Sequence, residues 1–489
     1  MTALTLTKQK KIKFALINPD YKLYGDPPLG LACLAAYLKR ECEFLKIRIF
    51  DQVKEEKILE SLTKTKPEVI GISAVSQNYY KALKLGKIIK KILPNSVLIL
   101  GGVHITTLPE SFKNSPFDIA IRGEGEIPVK KFFEIFYKDM KINVKRLSKI
   151  SGFMLRNKDK IIDTGLSETM TNLDDVPLPA REMLNMKYYQ LPRFSSKKLD
   201  ANGAILTSRG CPFACRFCAS SLFWNRKIRF FSAKRVVEEL EVLHYKYKYT
   251  NIEIYDDLFS INKERLREIV KLLNESSLAG KIKFSVMARA NTFDNETASL
   301  FKQMGVYSLA FGFETGSQKI LTYLKREGVT IDMAVNAVKI AKRYNLLIHG
   351  FFMTGSPYET REDMEMTYKF IKENNLDSAQ ILQVTPYPGT EIWQYAVENN
   401  IVPRDFYEKP AKELAEINLN LLLSKEISKE DFIEGFHKIQ GAINQNKERG
   451  FLTKLLAVRP RHIRAMLSKE FFEKVNSIKG HFLRDVLFR

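Results

Sequence analysis

The sequence predicts an α/β chain in which two parallel-sheet units follow one another: a doubly wound sheet over residues 1–140 and a partial (β/α)6 barrel over residues 201–415. Three observations predict it. Short β-rich runs alternate with helical patterns through both regions. The strand runs are apolar almost throughout, as strands covered on both faces are. A proline-fixed connector, Asp174 to Pro179, separates the two series.

In the first unit, strands are expected at Ile12–Asn18, Ile47–Asp51, Val69–Ala74, Val97–Gly101 and Ile119–Arg122, with helices at Gly30–Cys42, Glu55–Lys64, Tyr79–Leu93 and Val129–Tyr137. A ligand of such a sheet lies beyond the strand carboxyl ends, here Ser73, Gly101, Gly102, His104, Gly123 and Glu124. The glycines let a bulky planar or phosphate-bearing ligand approach the backbone, although glycines after strands are often only turns. Residues 141–200 read as a linker with a small hairpin near Gly152–Asp163.

The second unit shows strands at Ala204–Thr207, Ile252–Tyr255, Ile282–Met287, Ser308–Phe313, Leu347–Met353 and Ala379–Val384. Helical stretches at Ala233–Tyr245, Lys263–Leu273, Thr297–Met304, Ile331–Tyr344 and Arg361–Glu373 alternate with them. Six βα units imply a partial barrel with its chemistry at the strand C-termini. Residues 416–489 read as a basic helical C-terminal region without strands.

Composition bounds the function. In 489 residues, 45% apolar content with 11% aromatics fills several cores and excludes wholesale disorder. No apolar run approaches the roughly 18 residues of a spanning helix, and Met1–Lys13 lacks the apolar core of a secretory signal, so a cytoplasmic protein is expected. Five cysteines, three of them crowded together, make a metal site in a reducing compartment the better reading than a disulfide framework.

That cluster follows the first barrel strand directly. In Thr207-Ser208-Arg209-Gly210-Cys211-Pro212-Phe213-Ala214-Cys215-Arg216-Phe217-Cys218, three thiols fall in one loop at the barrel mouth with C-x3-C-x2-C spacing. Zinc would need a fourth ligand, which only a distant histidine could supply. A four-iron cubane is satisfied by three thiolates and leaves one iron open.

This spacing, with Phe217 before the last cysteine, resembles the signature of the radical S-adenosylmethionine family over Gly203–Gly389. The resemblance implies a 4Fe-4S cluster on Cys211, Cys215 and Cys218. Its open iron chelates S-adenosylmethionine, which is cleaved reductively to a 5′-deoxyadenosyl radical. It also implies cofactor contacts at Phe217, at Asp256 and Asp257 (polar groups for the methionine amine), at Glu314 (facing the ribose) and at Arg326 (a partner for the carboxylate). Lys325 is an equal candidate for that last role. Each has a plainer reading: an Asp pair at a strand end is often a helix N-cap, and Lys-Arg-Glu in a helix is usually a solvated face.

Pro27–Leu38, Gly101–His104 and Arg122–Glu126 resemble, in order and spacing, the Rossmann-like cobalamin-binding domain that precedes the radical core in one large subgroup. The Asp-x-His-x-x-Gly loop of methionine synthase is absent, so the resemblance implies cobalamin bound base-off without a histidine ligand. His104 is then a corrin neighbour, or a residue hydrogen-bonded within its own loop.

Together these resemblances imply a cobalamin-dependent radical enzyme that transfers a methyl group from methylcobalamin to an unactivated carbon. The alternatives are radical cyclisation or rearrangement of a lipid or tetrapyrrole, and a non-catalytic cobalamin sensor. A flavodoxin or ferredoxin is the expected electron donor, and no nucleic-acid partner is expected. From Glu448 to Arg489 ten Lys or Arg stand against four Asp or Glu among many aromatics. That pattern suits peripheral contact with an anionic membrane and a lipid substrate, or simply a helical cap on the barrel.

Overall fold

The computed structural model describes residues 11–19, 27–51, 53–190, 202–326, 328–410 and 421–456, with the backbone alone at 190, 202 and 446–456. Its first sheet has seven strands. These are β1 (Ile12–Ile17), β2 (Leu45–Phe50), β3 (Val69–Ser73), β4 (Val97–Gly101), β5 (Ile119–Ile121), β6 (Phe153–Asn157) and β7 (Lys160–Asp163), in the order β2-β1-β3-β4-β5-β6-β7.

The first five strands run parallel. Helices Leu29–Glu41 and Glu126–Asp139 cover one face, while Glu55–Thr65 and Tyr79–Ile92 cover the other, each through its own apolar layer. The strand order reverses between β1 and β3, where a ligand crevice opens at the carboxyl edge. The hairpin near Gly152–Asp163 forms, but not as part of a linker: β6 pairs antiparallel with β5 and extends the sheet. The first unit therefore continues to Asp163, because Phe153 and Leu155 complete the core under the helices Leu29–Glu41 and Glu126–Asp139.

The second sheet is β8 (Asn202–Ile205), β11 (Asn251–Ile254), β12 (Lys283–Ala288), β13 (Val306–Glu314), β14 (Leu347–Thr354) and β15 (Ser378–Gln383), all parallel and spatially consecutive. This is the open barrel expected. Along β12 to β15 one alternating set (Phe284, Val286, Leu309, Phe311, Ile348, Phe352, Ile381) is buried under the helices. The opposite set faces the concave side. A short ribbon not foreseen, β9 (Ser208–Gly210) against β10 (Ile228–Phe230), brackets the cysteine loop.

Helix Lys429–Leu456 lies along helix Arg361–Glu373 and β15, burying Phe432, Ile439 and Ile443 in the barrel core. This beginning of the C-terminal region is thus a cap on the barrel's last edge strand. The basic, aromatic stretch expected to meet a membrane lies mostly at 457–489, outside the described residues. Among the described residues no helix is long and apolar enough to cross a membrane.

The stretch after β7 is a strap. Ala180 N–H donates to the Ala32 carbonyl (3.0 Å), and buried Arg181 pairs with Glu239 (2.6 Å) and donates to the Ala204 carbonyl (2.8 Å). One short segment thereby holds both sheets.

Candidate active site

The cysteine loop is positioned from its base upward. Asp256, one residue beyond Tyr255 at the end of the β11 run, is fully buried. Its carboxylate accepts from Thr207 N–H (2.6 Å), Thr207 Oγ1 (2.5 Å), Ser208 N–H (3.1 Å) and Ser208 Oγ (2.6 Å). Burial pushes its pKa up against these donors. Arg265 clamps the same stretch by donating to the Thr207 (2.6 Å) and Phe231 (2.8 Å) carbonyls. Gly210 precedes Cys211 with φ +105°, and a Cβ there would stand 1.9 Å from the Lys227 carbonyl, so only glycine lets the ribbon close.

Beyond it the loop is pinned on its other side. Arg216 N–H donates to Leu324 O (2.9 Å), Arg326 Nε donates to Ala214 O (2.7 Å), and Arg216 and Arg326 both pair with Glu391. Phe217 packs against the apolar cluster that contains Ile320, Leu324 and Trp393.

Among the described residues no three His, Cys, Asp or Glu side chains converge to hold a single metal ion. Three thiols spread along one loop fit a cluster better, since a cubane spaces its thiolates over different irons whereas zinc gathers its ligands around one centre. Cys211, Cys215 and Cys218 are all free and partly accessible at the barrel mouth.

At the end of β13, Glu314 stands at φ +69°, buried and paired with buried Lys325 (2.9 Å), which also donates to Gly312 O. A Cβ on Gly312 would lie 2.5 Å from the Glu314 carboxylate, which accounts for the glycine two residues before it. Of the two candidate cations, Lys325 therefore adjoins Glu314, and Arg326 adjoins the cysteine loop.

Between the residues that flank the cysteine loop and the carboxyl edge of the first sheet lies a cavity of about 480 Å³. Gly30, Gly71, Ser73, Gly101, Gly102 and Gly123 line it from the first unit; Ala219, Ser220, Phe223, Trp224, Tyr255 and Asp257 line it from the second. Cβ atoms on Gly30 and Gly101 would meet nothing within 4 Å, so these backbones form an open floor that a broad flat ligand can approach. Asp257 reaches this space and accepts from Ser220 Oγ (2.9 Å).

The surroundings of three expected contacts show what else holds them. Asp256 spends all four of its hydrogen bonds on the loop base and is a scaffold residue. His104 does not reach the cavity. It is completely buried, stacked on Tyr79 (3.8 Å between centroids) and bonded through Nδ1 to Ser76 Oγ (3.1 Å). Burial pulls its pKa down to about 3, so the ring stays neutral. Glu124 borders the cavity, but its carboxylate is taken by Arg209 (2.8 Å), Arg229 (2.8 and 2.9 Å) and Met170 N–H (3.2 Å). Against burial, Arg229 and Arg209 hold its carboxyl below the ordinary value.

Arg209 also pairs with Glu126 (2.7 Å). The pairing of Arg209 with two glutamates over 80 residues away carries no local signal, and neither do the positions of Arg229, Trp224 or Glu391. Arg209 stands out in the sequence only by its place two residues before Cys211.

Such a site, a three-thiol loop at a partial-barrel mouth facing a glycine-floored crevice, defines a class of two-domain radical enzymes with a corrinoid partner. Residues 205–371 match the Radical SAM superfamily and residues 23–133 the B12 binding domain. An uncharacterized methyltransferase of Pyrococcus horikoshii is 34% identical over 82% of this chain and 85% of its own. An anaerobic magnesium-protoporphyrin IX monomethyl ester cyclase of Cereibacter sphaeroides is 25% identical over 78% of this chain and 63% of its own. The fold is shared with the radical S-adenosylmethionine methyltransferase TsrM from Kitasatospora setae, solved with cobalamin and a [4Fe-4S] cluster (TM-score 0.65, 16% identity, 79% of this chain and 75% of that one). The chain belongs to the cobalamin-binding branch of the radical SAM superfamily.

Proposed function

We propose that this protein is a cobalamin-dependent radical S-adenosylmethionine C-methyltransferase. The observation that carries the reading is one cavity lined by both domains, with residues that flank the cysteine loop (Ser208, Arg209, Ala219 and Ser220) on one side and the glycine floor on the other. When bound, the cluster and S-adenosylmethionine supply a hydrogen-abstracting radical and the corrinoid supplies the methyl group.

The chain's own part is to bind, orient and exclude water. Cys211, Cys215 and Cys218 hold the cluster; Glu314 with Lys325, and Asp257, present polar groups at the strand ends for S-adenosylmethionine. Ser73, Gly101, Gly102 and Gly123 admit the corrinoid, and Phe223 and Trp224 close the space between the two.

The substrate is an apolar small molecule, a lipid among the candidates. Support comes from the face of the barrel strands opposite the helices, where Met287 and Leu382 stay 41% and 52% exposed. Isolated exposed apolar residues are ordinary; a shared concave face is a binding surface. The five free cysteines support a reducing, cytoplasmic setting with a flavodoxin or ferredoxin as donor. Membrane contact through the tail is tested by flotation with anionic liposomes, which a chain ending at Lys447 should fail.

Anaerobic reconstitution followed by dithionite and S-adenosylmethionine should release 5′-deoxyadenosine from the intact protein and none from Cys215→Ala. A product heavier by one methylene unit supports methyl transfer; a product that has lost hydrogen makes the protein a cyclase instead. Absence of 5′-deoxyadenosine from protein carrying its full iron would overturn the enzymatic reading.

A further inference from the structure

Arg289 follows β12 directly, at the barrel mouth, and is 8% exposed. Its Nη1 donates to Cys215 Sγ (3.1 Å), its Nε donates to Asn291 Oδ1 (3.0 Å), and its guanidinium lies 4.0 Å from the centre of the Phe213 ring. Nη2 is buried and has no hydrogen-bond partner among the described residues. No carboxylate pairs with this guanidinium among them either, in contrast to buried Arg181, Arg209 and Arg235, each of which has a glutamate; equally buried Arg265 also has no ion pair but spends its donors on the Thr207 and Phe231 carbonyls.

A buried cation without an anion is costly enough that proteins almost always supply one. The group facing Arg289 is the Cys215 sulfur, which as a cluster ligand would be a thiolate. We propose that Arg289 is a positioning residue that sets the reduction potential of the cluster through the Cys215 sulfur, an inference that rests on the three thiols holding that cluster.

The physical reason is charge. One electron enters from the reductant and no bond forms or breaks, so the reduced cluster carries one more negative charge than the oxidised one. A cation donating to a ligand sulfur in a site sheltered from water favours the more negative state. The stacking on Phe213 keeps the fork in place, and the open Nη2 remains for an acceptor on the same cluster. The residue thus makes the cluster easier to reduce.

The test is an EPR-monitored redox titration of the anaerobically reconstituted full chain without S-adenosylmethionine, with iron content measured in parallel. In Arg289→Gln, at wild-type iron content, the ratio of reduced to oxidised cluster at a fixed potential should fall at least tenfold, a shift of 59 mV for a one-electron couple. Arg289→Lys, which keeps the charge and loses the fork, should fall less. An unchanged midpoint in Arg289→Gln with full iron overturns the proposal. Should that variant take up no iron, Arg289→Met, which also removes the charge, decides in its place, a wild-type midpoint overturning the proposal and a lowered one supporting it. Failure of the wild-type chain to take up iron would instead count against the cluster itself.

Discussion

Glu124, which follows the fifth strand of the first sheet, and Arg209, two residues before the first cluster cysteine, are joined by a buried 2.8 Å ion pair. It couples the floor of the corrinoid crevice to the base of the cysteine loop. With Arg229 and Glu126 it forms a network in which Glu124, Glu126 and Arg209 are buried and Arg229 is partly exposed. Removing one partner strands a buried charge, which typically costs about 3–5 kcal/mol. Glu124→Ala should therefore lower the thermal midpoint of the apoprotein strongly. Glu124→Leu combined with Arg209→Met should be less destabilising than the sum of the single changes, since each single change already loses the direct Glu124–Arg209 attraction, which the double variant loses only once. A double-mutant cycle on thermal unfolding checks this, and simple additivity would show the pair to be uncoupled.

Gly101 offers a cleaner separation of binding from folding. Its φ lies outside the left-handed region and a Cβ there meets no atom within 4 Å, so a larger side chain enters the cavity without strain. Gly101→Leu should abolish cobalamin retention by absorbance while apoprotein melting and cluster iron stay as in the wild type. Retained cobalamin would place the corrinoid elsewhere.

Much of this architecture is legible in the chain because its strands and helices are bounded by local signals, such as Gly102 and the Asn262 cap that accepts from Arg265 N–H. The cysteine triad is legible for the same reason: ligands and spacing occupy one loop. The ties of Glu124, Asp256 and His104 are not legible in the sequence, because they run to partners 28 to 105 residues away. A polar residue at a strand end looks alike in one sequence whether it faces a cofactor or clamps a neighbouring loop. Arg289 was invisible for a further reason, since its meaning comes from the partner it lacks.

The neutral ring of His104 yields a spectroscopic and a thermodynamic expectation. Bound cob(II)alamin should show no nitrogen superhyperfine splitting from the protein, and His104→Phe should leave that spectrum unchanged. The folded pKa, near 3, is below the unfolded value of about 6.5. Stability from this group is therefore complete above pH 6.5 and is lost as pH falls toward 3, by up to about 5 kcal/mol at one pKa unit per 1.36 kcal/mol. His104→Phe retains an aromatic partner for Tyr79 and removes the titration. Its apoprotein should melt with a shallower acid limb between pH 6.5 and 4 than the wild type, and an identical limb would show the ring to be protonated in the folded state.

Glu359 works in the opposite direction. It sits beyond β14 with 1% exposure, and one carboxylate oxygen accepts from Gly355 N–H, Ser356 N–H (3.1 Å) and Thr354 Oγ1 (3.2 Å). The other oxygen is buried with no partner among the described residues, and burial raises the pKa to about 7. A folded pKa above the unfolded value, about 4.3 in model peptides, means the protonated acid is the form the fold prefers. Its stabilising contribution is full below the unfolded pKa and is lost as pH rises toward 7, by roughly 4 kcal/mol. Glu359→Gln mimics the protonated acid: its carbonyl oxygen can accept the same three donors, and its amide carries no charge. The variant should match the wild type in thermal midpoint near pH 4, exceed it at pH 8 and cross the intervening range with a flatter profile. A wild-type midpoint that equals or exceeds that of Glu359→Gln at pH 8 would mean the buried carboxylate is better solvated than its surroundings indicate.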